Sequence, residues 1–188
     1  MCSEADFAAH PVRRSPEHAS RGGASTHMLL PAEQIRDQAL EILGTQRDWL
    51  RLHGIAGDLK LIGGSSVPGA LTKGDVDLHL TVPAEAFAST VAELERSLRV
   101  VHPKIWCPTL ATFSVSAALP TGMAVTPLGS EHDVRFTRTW HLLATDPGLL
   151  AEYCALKIAH DGEPEYEQEK SVFFDRLVEL WPPDTAGG

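Results

Sequence analysis

The stretch Leu61–Val82, LIGGSSVPGALTKGDVDLHLTV, decides how the rest of the chain is read. It opens on two apolar residues, breaks into a run of small ones, and ends in DVDLHLTV, where apolar and polar positions alternate. A period of two marks a strand whose two faces meet different surroundings. Val76, Leu78, Leu80 and Val82 take one face; Asp75, Asp77, His79 and Thr81 take the other. The preceding DLKLIGG predicts a shorter strand that ends at Gly63 and Gly64.

Two aspartates two positions apart on a strand project from one face, with Cα atoms about 6.5 to 7 Å apart. Asp is a poor strand former, so such a pair is either fully solvated or kept for its chemistry. Like charges at this spacing hold each other's protons unless a cation lies between them. Mg²⁺ suits the position, being a hard ion that takes carboxylate oxygens and keeps water or phosphate in its shell. Ahead of the pair, Gly63 and Gly64 open backbone conformations closed to other residues and let a bulky anion approach the main chain. Backbone N–H groups in such a turn cradle anions, and Ser65 and Ser66 add hydroxyl donors. A phosphate cradle leading into a metal-binding strand is what a metal-complexed nucleoside triphosphate requires. On these residues alone the other reading is a glycine-rich turn before a solvated strand.

Working outward, PAEQIRDQALEILGTQRDWLRLHG has helical spacing of Ile35, Ala39, Ile42, Leu43, Trp49 and Leu50, with Pro31 at its start. After the acidic strand, Pro83 begins a helix reaching about Leu98. RVVHPKIWC predicts one or two short strands, and ATFSVSAALPTGMAVTPLG predicts two strands about a Pro-Thr-Gly turn. Three helices follow: one within VRFTRTWHLLAT, one capped by Asp146 with Pro147 as its first residue, and one over PEYEQEKSVFFDRLVELW. This order implies a small mixed sheet with helices on one face and a helical C-terminal part. Residues 1–28 lack periodicity and are expected to be a disordered tail, as is PPDTAGG at the other end.

SSVPGALTKGDVDL resembles the loop and acidic strand of the GrpB-like family, within the nucleotidyltransferase superfamily that includes DNA polymerase β. Ile62, Gly63, Gly64, Asp75 and Asp77 fit the superfamily signature, and Val67, Pro68, Gly69 and Lys73 fit the family's fill. Pro147, Leu149, Tyr153, Leu156 and Lys157 are similar to its Pro-x-Leu and Tyr-x-x-Leu-Lys, and Tyr166 and Lys170 to its Tyr-x-x-x-Lys. The resemblance covers about residues 30 to 180. It implies an α/β (α+β) fold: a small mixed sheet of nucleotidyltransferase type with flanking helices and a C-terminal helical segment. The domain then runs over 29–182, sheet core to about 130 and helical part from about 131. The implied chemistry is Mg²⁺-dependent transfer of a nucleoside monophosphate from an NTP to a hydroxyl acceptor. The alternative is a nucleotide- or metabolite-binding module of the same fold without turnover.

The resemblance also shows departures. Gly64 stands where the family usually has Ser, and Asp75 where an apolar residue is common, so Asp77 falls on the principal aspartate. Active superfamily members present a third carboxylate from a later strand, but FSVSAAL and GMAVTPL contain neither Asp nor Glu. Ser114, Ser116 and Thr126 are weak substitutes, and Glu131 and Asp133 follow the second strand. Phosphate contacts are expected from Gly63, Gly64, Ser65, Ser66, Lys73, Arg138, Lys157 and Lys170, with Arg135 beside Arg138. His79 is either a donor at the metal site or a surface histidine, whereas Trp140, Tyr153, Phe173 and Phe174 suit a core.

A net charge of −9 argues against general nucleic-acid binding, which needs clustered Lys and Arg. Cys2, Cys107 and Cys154 have no zinc or disulfide spacing and are read as reduced thiols. With no apolar run long enough for a bilayer, a cytoplasmic protein without membrane partners is expected.

Overall fold

The computed structural model describes residues 28–160, 163 and 166–181. The expected tails therefore lie outside the described residues, apart from Met28. The strands are β1 (Leu30–Pro31), β2 (Asp58–Ile62), β3 (Leu71–Thr72), β4 (Val76–Val82), β5 (Arg99–Val100), β6 (Ala111–Val115) and β7 (Thr121–Pro127). The helices are α1 (Arg36–Leu52), α2 (Phe87–Ser97), α3 (Glu131–Thr145), α4 (Pro147–Ala159) and α5 (Tyr166–Leu180). Five strands form one mixed sheet in the order β2-β4-β7-β6-β5, and β1 pairs with β3 in a separate two-stranded ribbon. Only β4 and β7 run parallel within the main sheet, with Asp77 opposite Gly122 and His79 opposite Ala124. Among the described residues no helix is long and apolar enough to cross a membrane.

The alternation read in DVDLHLTV sorts the sheet's two faces. Val76, Leu78, Leu80 and Val82 join Ala39, Ile42, Leu43 and Leu50 of α1 and Leu94 of α2 in one core. Complete burial of each leucine contributes about 1.5 to 3 kcal/mol. The polar face is only partly open to solvent. The C-terminal helices cover it, with Phe136 of α3 edge-on to His79 at 5.0 Å and Asp133 of α3 accepting a hydrogen bond from Thr81 at 3.0 Å. Helices thus flank the sheet on both faces, not one. A second core, including Val67, Leu143, Tyr153, Phe173 and Leu177, joins these helices to the glycine-rich loop.

Local differences from the sequence reading have identifiable causes. Pro31 does not start the helix: it is extended (φ −58°, ψ 138°) and pairs with Leu71, so α1 begins five residues on, after a single 3₁₀ turn at Ala32–Gln34. The Pro-Thr-Gly turn is not a turn. Thr121 and Gly122 lie within β7 because β4 continues past them as a parallel partner, and Val76 N donates to Pro120 O at 2.9 Å. Asp146 does cap α4, accepting from the N–H groups of Gly148 and Leu149 at 2.8 and 3.1 Å.

His79, expected on an accessible face, is 1% exposed, and its Nε2 lies 2.7 Å from Thr126 Oγ1. Burial outweighs the attraction of Asp133 and pushes its pKa down to about 4, so the ring is neutral in the fold. In the unfolded chain the imidazole titrates near ~6.5. The unfolded state therefore takes up the proton first, and this contribution to stability is complete above about pH 6.5 and lost as pH falls towards 4. Roughly 3 kcal/mol should disappear over that window. Urea unfolding from pH 7 to 4 should show His79→Gln gaining stability relative to the wild type by about this amount as pH falls, since other groups titrate alike in both. Parallel curves would show that His79 does not set the slope.

Candidate functional site

The loop after β2 is built around Gly63. At φ +76° its backbone occupies the region that side chains disfavour, and a Cβ there would lie 2.9 Å from Asp77 Cβ and Cγ and overlap Oδ2. The turn therefore packs its bare backbone directly on the Asp77 carboxylate. Gly64 is also constrained by its surroundings: a Cβ would sit 2.8 Å from Leu71 O and 3.1 Å from Lys157 Nζ. Glycine in place of serine here makes room for the backbone of β3 and for a lysine.

A small polar pocket of about 30 Å³ lies against this loop. Gly64, Lys73, Asp75, Asp77, Lys157 and Lys170 line it, together with Trp140, Tyr153 and Tyr166. Most of the residues singled out in the sequence thus converge from β4, its preceding loop, α4 and α5. Asp75 immediately precedes β4 and accepts a hydrogen bond from Thr72 Oγ1 at 3.2 Å. Lys157 is 6% exposed, donates to Leu71 O at 2.7 Å and lies 5.1 Å from the Tyr153 ring centre. Lys73 lies 4.7 Å from the Tyr166 ring centre, and Lys170 lies 5.9 Å from it and 5.7 Å from that of Phe174.

Burial first, and then the charge of Asp75, push the Asp77 carboxyl up to about 7 against the pull of Lys170 and Lys157. Burial, with Lys170 as the next cause, pushes Lys157 down to about 8 despite the two aspartates. The pocket is thus short of solvent for either sign of charge. The Tyr153 hydroxyl is held well above the ordinary phenol range, chiefly by burial. The donor set fits a hard divalent cation, because such an ion relieves the pairing of Asp75 with Asp77. Among the described residues no group of three or more His, Cys, Asp or Glu converges on one point, so phosphate or water oxygens would complete the shell.

Other expected site residues lie elsewhere or spend their groups elsewhere. Ser66 Oγ donates to Gly63 O at 2.7 Å, closing the turn. Ser65 Oγ is buried and makes no hydrogen bond among the described residues. Arg138 does not line the pocket; its guanidinium sits 5.5 Å from the centre of the Trp181 ring. Neither proposed source of a third carboxylate reaches the cleft. Glu131 has a largely exposed side chain and accepts from Thr109 Oγ1 at 3.3 Å. Asp133 accepts from Thr81 Oγ1 and, at 2.8 Å, from Gly129 N, about 13 Å along the strand from Asp77. The positions across the sheet from Asp77 and His79 are Gly122 and Ala124.

Several residues were missed or assigned to the core alone. Tyr153 and Tyr166 each precede a pocket lysine by four residues, so Tyr153/Lys157 and Tyr166/Lys170 share a helix face. That repeated Tyr-x-x-x-Lys spacing was the available signal. Glu167 lies 4.0 Å from Lys170 Nζ and adds to the negative field at Asp77. Trp140 both packs edge-on against Tyr153 at 5.8 Å and lines the pocket.

A second cavity, of about 120 Å³, adjoins this pocket and is open to solvent. Asp77, Trp140 and Lys170 line both spaces, so the two meet there. Its floor is the sheet at Gly122 and Ala124, and Phe136 and Phe174 are among its walls.

No family profile matches the chain. It is 29% identical over 120 residues to a UPF0157 protein of Vibrio cholerae. That match spans 62% of this chain and 63%, less than two thirds, of the Vibrio cholerae protein. Among solved structures, the conserved protein GrpB from Enterococcus faecalis superposes with a TM-score of 0.61, covering 81% of this chain and 98% of that one. At 13% identity this likeness shows the fold, which is GrpB-like.

Proposed function

We propose that the pocket binds a Mg²⁺-complexed nucleoside triphosphate and that the protein transfers the nucleoside monophosphate to a hydroxyl acceptor. The observation that carries this reading is the packing of Gly63 on Asp77. Beside that contact, Gly64 of the same turn, two carboxylates and three lysines line one small space. Asp75 and Asp77 would hold Mg²⁺, which supplies charge neutralisation at the phosphates. Lys73, Lys157 and Lys170 face the remaining negative charge. Burial makes each contact stronger than the same contact in water. Positioning and preorganised charge supply most of the rate in phosphoryl transfer.

A second reading is supported by the strand opposite Asp77. With Gly122 and Ala124 there and Asp133 bonded to Thr81, no side chain of β7 offers a base to an acceptor hydroxyl. The same pocket would then serve as a nucleotide- or metabolite-binding module without turnover.

Calorimetry with ATP tests the shared part of both readings. Binding is expected in Mg²⁺ and is expected to weaken at least tenfold in EDTA. Equal affinity in EDTA would remove the metal from the site, and no binding in either would remove the nucleotide. Pyrophosphate release in the presence of hydroxyl acceptors separates transfer from binding alone.

A further inference from the structure

We propose that the larger cavity seats the acceptor, and that the acceptor is a phenol, a small compound whose hydroxyl is carried on an aromatic ring. This assignment rests on the nucleotide reading and names the second substrate of the same site.

Three observations support it. The first is position. With the pyrophosphate portion among the lysines and the α-phosphorus at Asp77, an in-line attack must come from the opposite side. The 120 Å³ cavity meets the polar pocket at Asp77, Trp140 and Lys170 but is otherwise lined by different residues, so it is the adjoining space from which such an attack would come.

The second is size and lining. The space exists because β7 presents its small residues, Gly122 and Ala124, beside Asp77 and His79, with Phe136, Trp140 and Phe174 also lining the cavity. Cavities of about 150 Å³ with apolar walls hold one benzene ring. The walls here suit a ring by edge and face contacts. Asp77 and Lys170 line the cavity where it meets the polar pocket, so a ring hydroxyl directed at that junction would face the reacting phosphorus; His102, Thr112 and Arg135 are further polar residues of the lining.

The third is the same pair of small residues seen chemically. Removing a carboxylate from the strand beside Asp77 removes the group that would take the acceptor's proton. An alkyl hydroxyl, with an acidity close to that of water at ~15.7, needs such a base. A phenol ionises near ~10 and needs far less help, and Lys170 at the junction favours its anion. In the transfer the phenolic proton passes to water at the open mouth. A lone pair of the phenolic oxygen forms the new bond to the α-phosphorus. The bond from that phosphorus to the bridging oxygen breaks, and pyrophosphate leaves with the electron pair.

The test uses p-cresol and, as a probe of similar bulk, cyclohexylmethanol. Calorimetry should show p-cresol binding at about 0.1 to 1 mM without nucleotide. It should bind equally well with Mg²⁺-ATP already in place. Ala124→Leu, which fills the floor, should abolish p-cresol binding. Pyrophosphate release from Mg²⁺-ATP should depend on p-cresol and be at least ~100-fold slower with cyclohexylmethanol. Competition between p-cresol and ATP would overturn the assignment, because it would place the nucleobase in the cavity. Equal release with both alcohols, or none with p-cresol while Mg²⁺-ATP binds, would overturn it as well. Failure of Mg²⁺-ATP to bind in the same calorimeter identifies the nucleotide reading as the part at fault, and the acceptor assignment falls with it.

Discussion

Asp77→Asn is expected to weaken Mg²⁺-dependent ATP binding by at least 100-fold and, at the same time, to raise the melting temperature of the ligand-free protein. The two effects have one cause. The carboxylate lies under Gly63, half-buried and largely desolvated, beside a second negative charge. Its folded pKa, about 7, stands above the ordinary aspartate value near 3.8. The unfolded chain therefore loses this proton first as pH rises, and stability declines between about pH 4 and pH 7. Above pH 7 the folded protein carries the full cost of an ionised, desolvated group. An asparagine amide has nearly the same shape without the charge, so the variant should be more stable by roughly 1 to 3 kcal/mol at pH 8. The two proteins should converge below about pH 4, where Asp77 is protonated in both states. Removing one of two metal-binding carboxylates leaves a divalent ion with half its protein charge, and 100-fold in affinity corresponds to about 2.7 kcal/mol. Thermal melts at pH 4 and pH 8, with and without 10 mM Mg²⁺, check both claims. Mg²⁺ should raise the wild-type midpoint at pH 8 and leave the variant unmoved. A variant less stable than wild type at pH 8 would show that the lysines already compensate the carboxylate.

Gly63→Ala is expected to cost roughly 3 to 5 kcal/mol, more than most single substitutions. At φ +76° and ψ −179° Gly63 occupies a backbone region essentially reserved for glycine, which costs another residue about 1 to 3 kcal/mol. The larger part is steric, since the new methyl would overlap the Asp77 carboxylate and neither partner can retreat. Gly63 closes its turn through hydrogen bonds from Ser66 N at 3.1 Å and Ser66 Oγ at 2.7 Å. Asp77 sits within β4, paired with Ile62 on one side and Gly122 on the other. Denaturant unfolding measures the loss. Gly54, also at positive φ but with open space around it, provides the control. Gly54→Ala should show only the backbone part, and equal costs at the two positions would deny the role of Asp77.

The alternation in DVDLHLTV was legible because one strand carries its own period, and the same stretch placed the glycine turn beside the acidic pair. Asp146 and Pro147 were legible because a helix cap is a local device. What could not be read were relations between distant segments. His79 looked accessible because nothing in its neighbourhood reveals that α3 will cover it with Phe136. Pro120, Thr121 and Gly122 have the composition of a turn, and pairing with β4 on one side and β6 on the other makes Thr121 and Gly122 part of a strand. Arg138 carried the right charge on a helix whose rotation sends it to Trp181. Lys157 and Lys170 were found through family resemblance, and their meeting at one pocket with Asp77 depends on the packing of α4 and α5.

The parallel pairing of β4 with β7 also bears on the order in which the protein is made. Antiparallel neighbours close through short loops, but Val76 must wait for Thr121 before the central pair can zip. Loop-closure entropy is paid before those contacts form. As the chain emerges during synthesis, N-terminal end first, β2 and β4 present Asp75 and Asp77 before any residue of α4 or α5 exists. Lys157 and Lys170 join the pocket only when those helices dock. The acidic pair therefore passes through a stage in which Lys73 is its one pocket lysine, and the step that brings Lys157 and Lys170 also closes the cover over the polar face of the sheet. Binding competence is thus acquired late and all at once, with the last third of the chain.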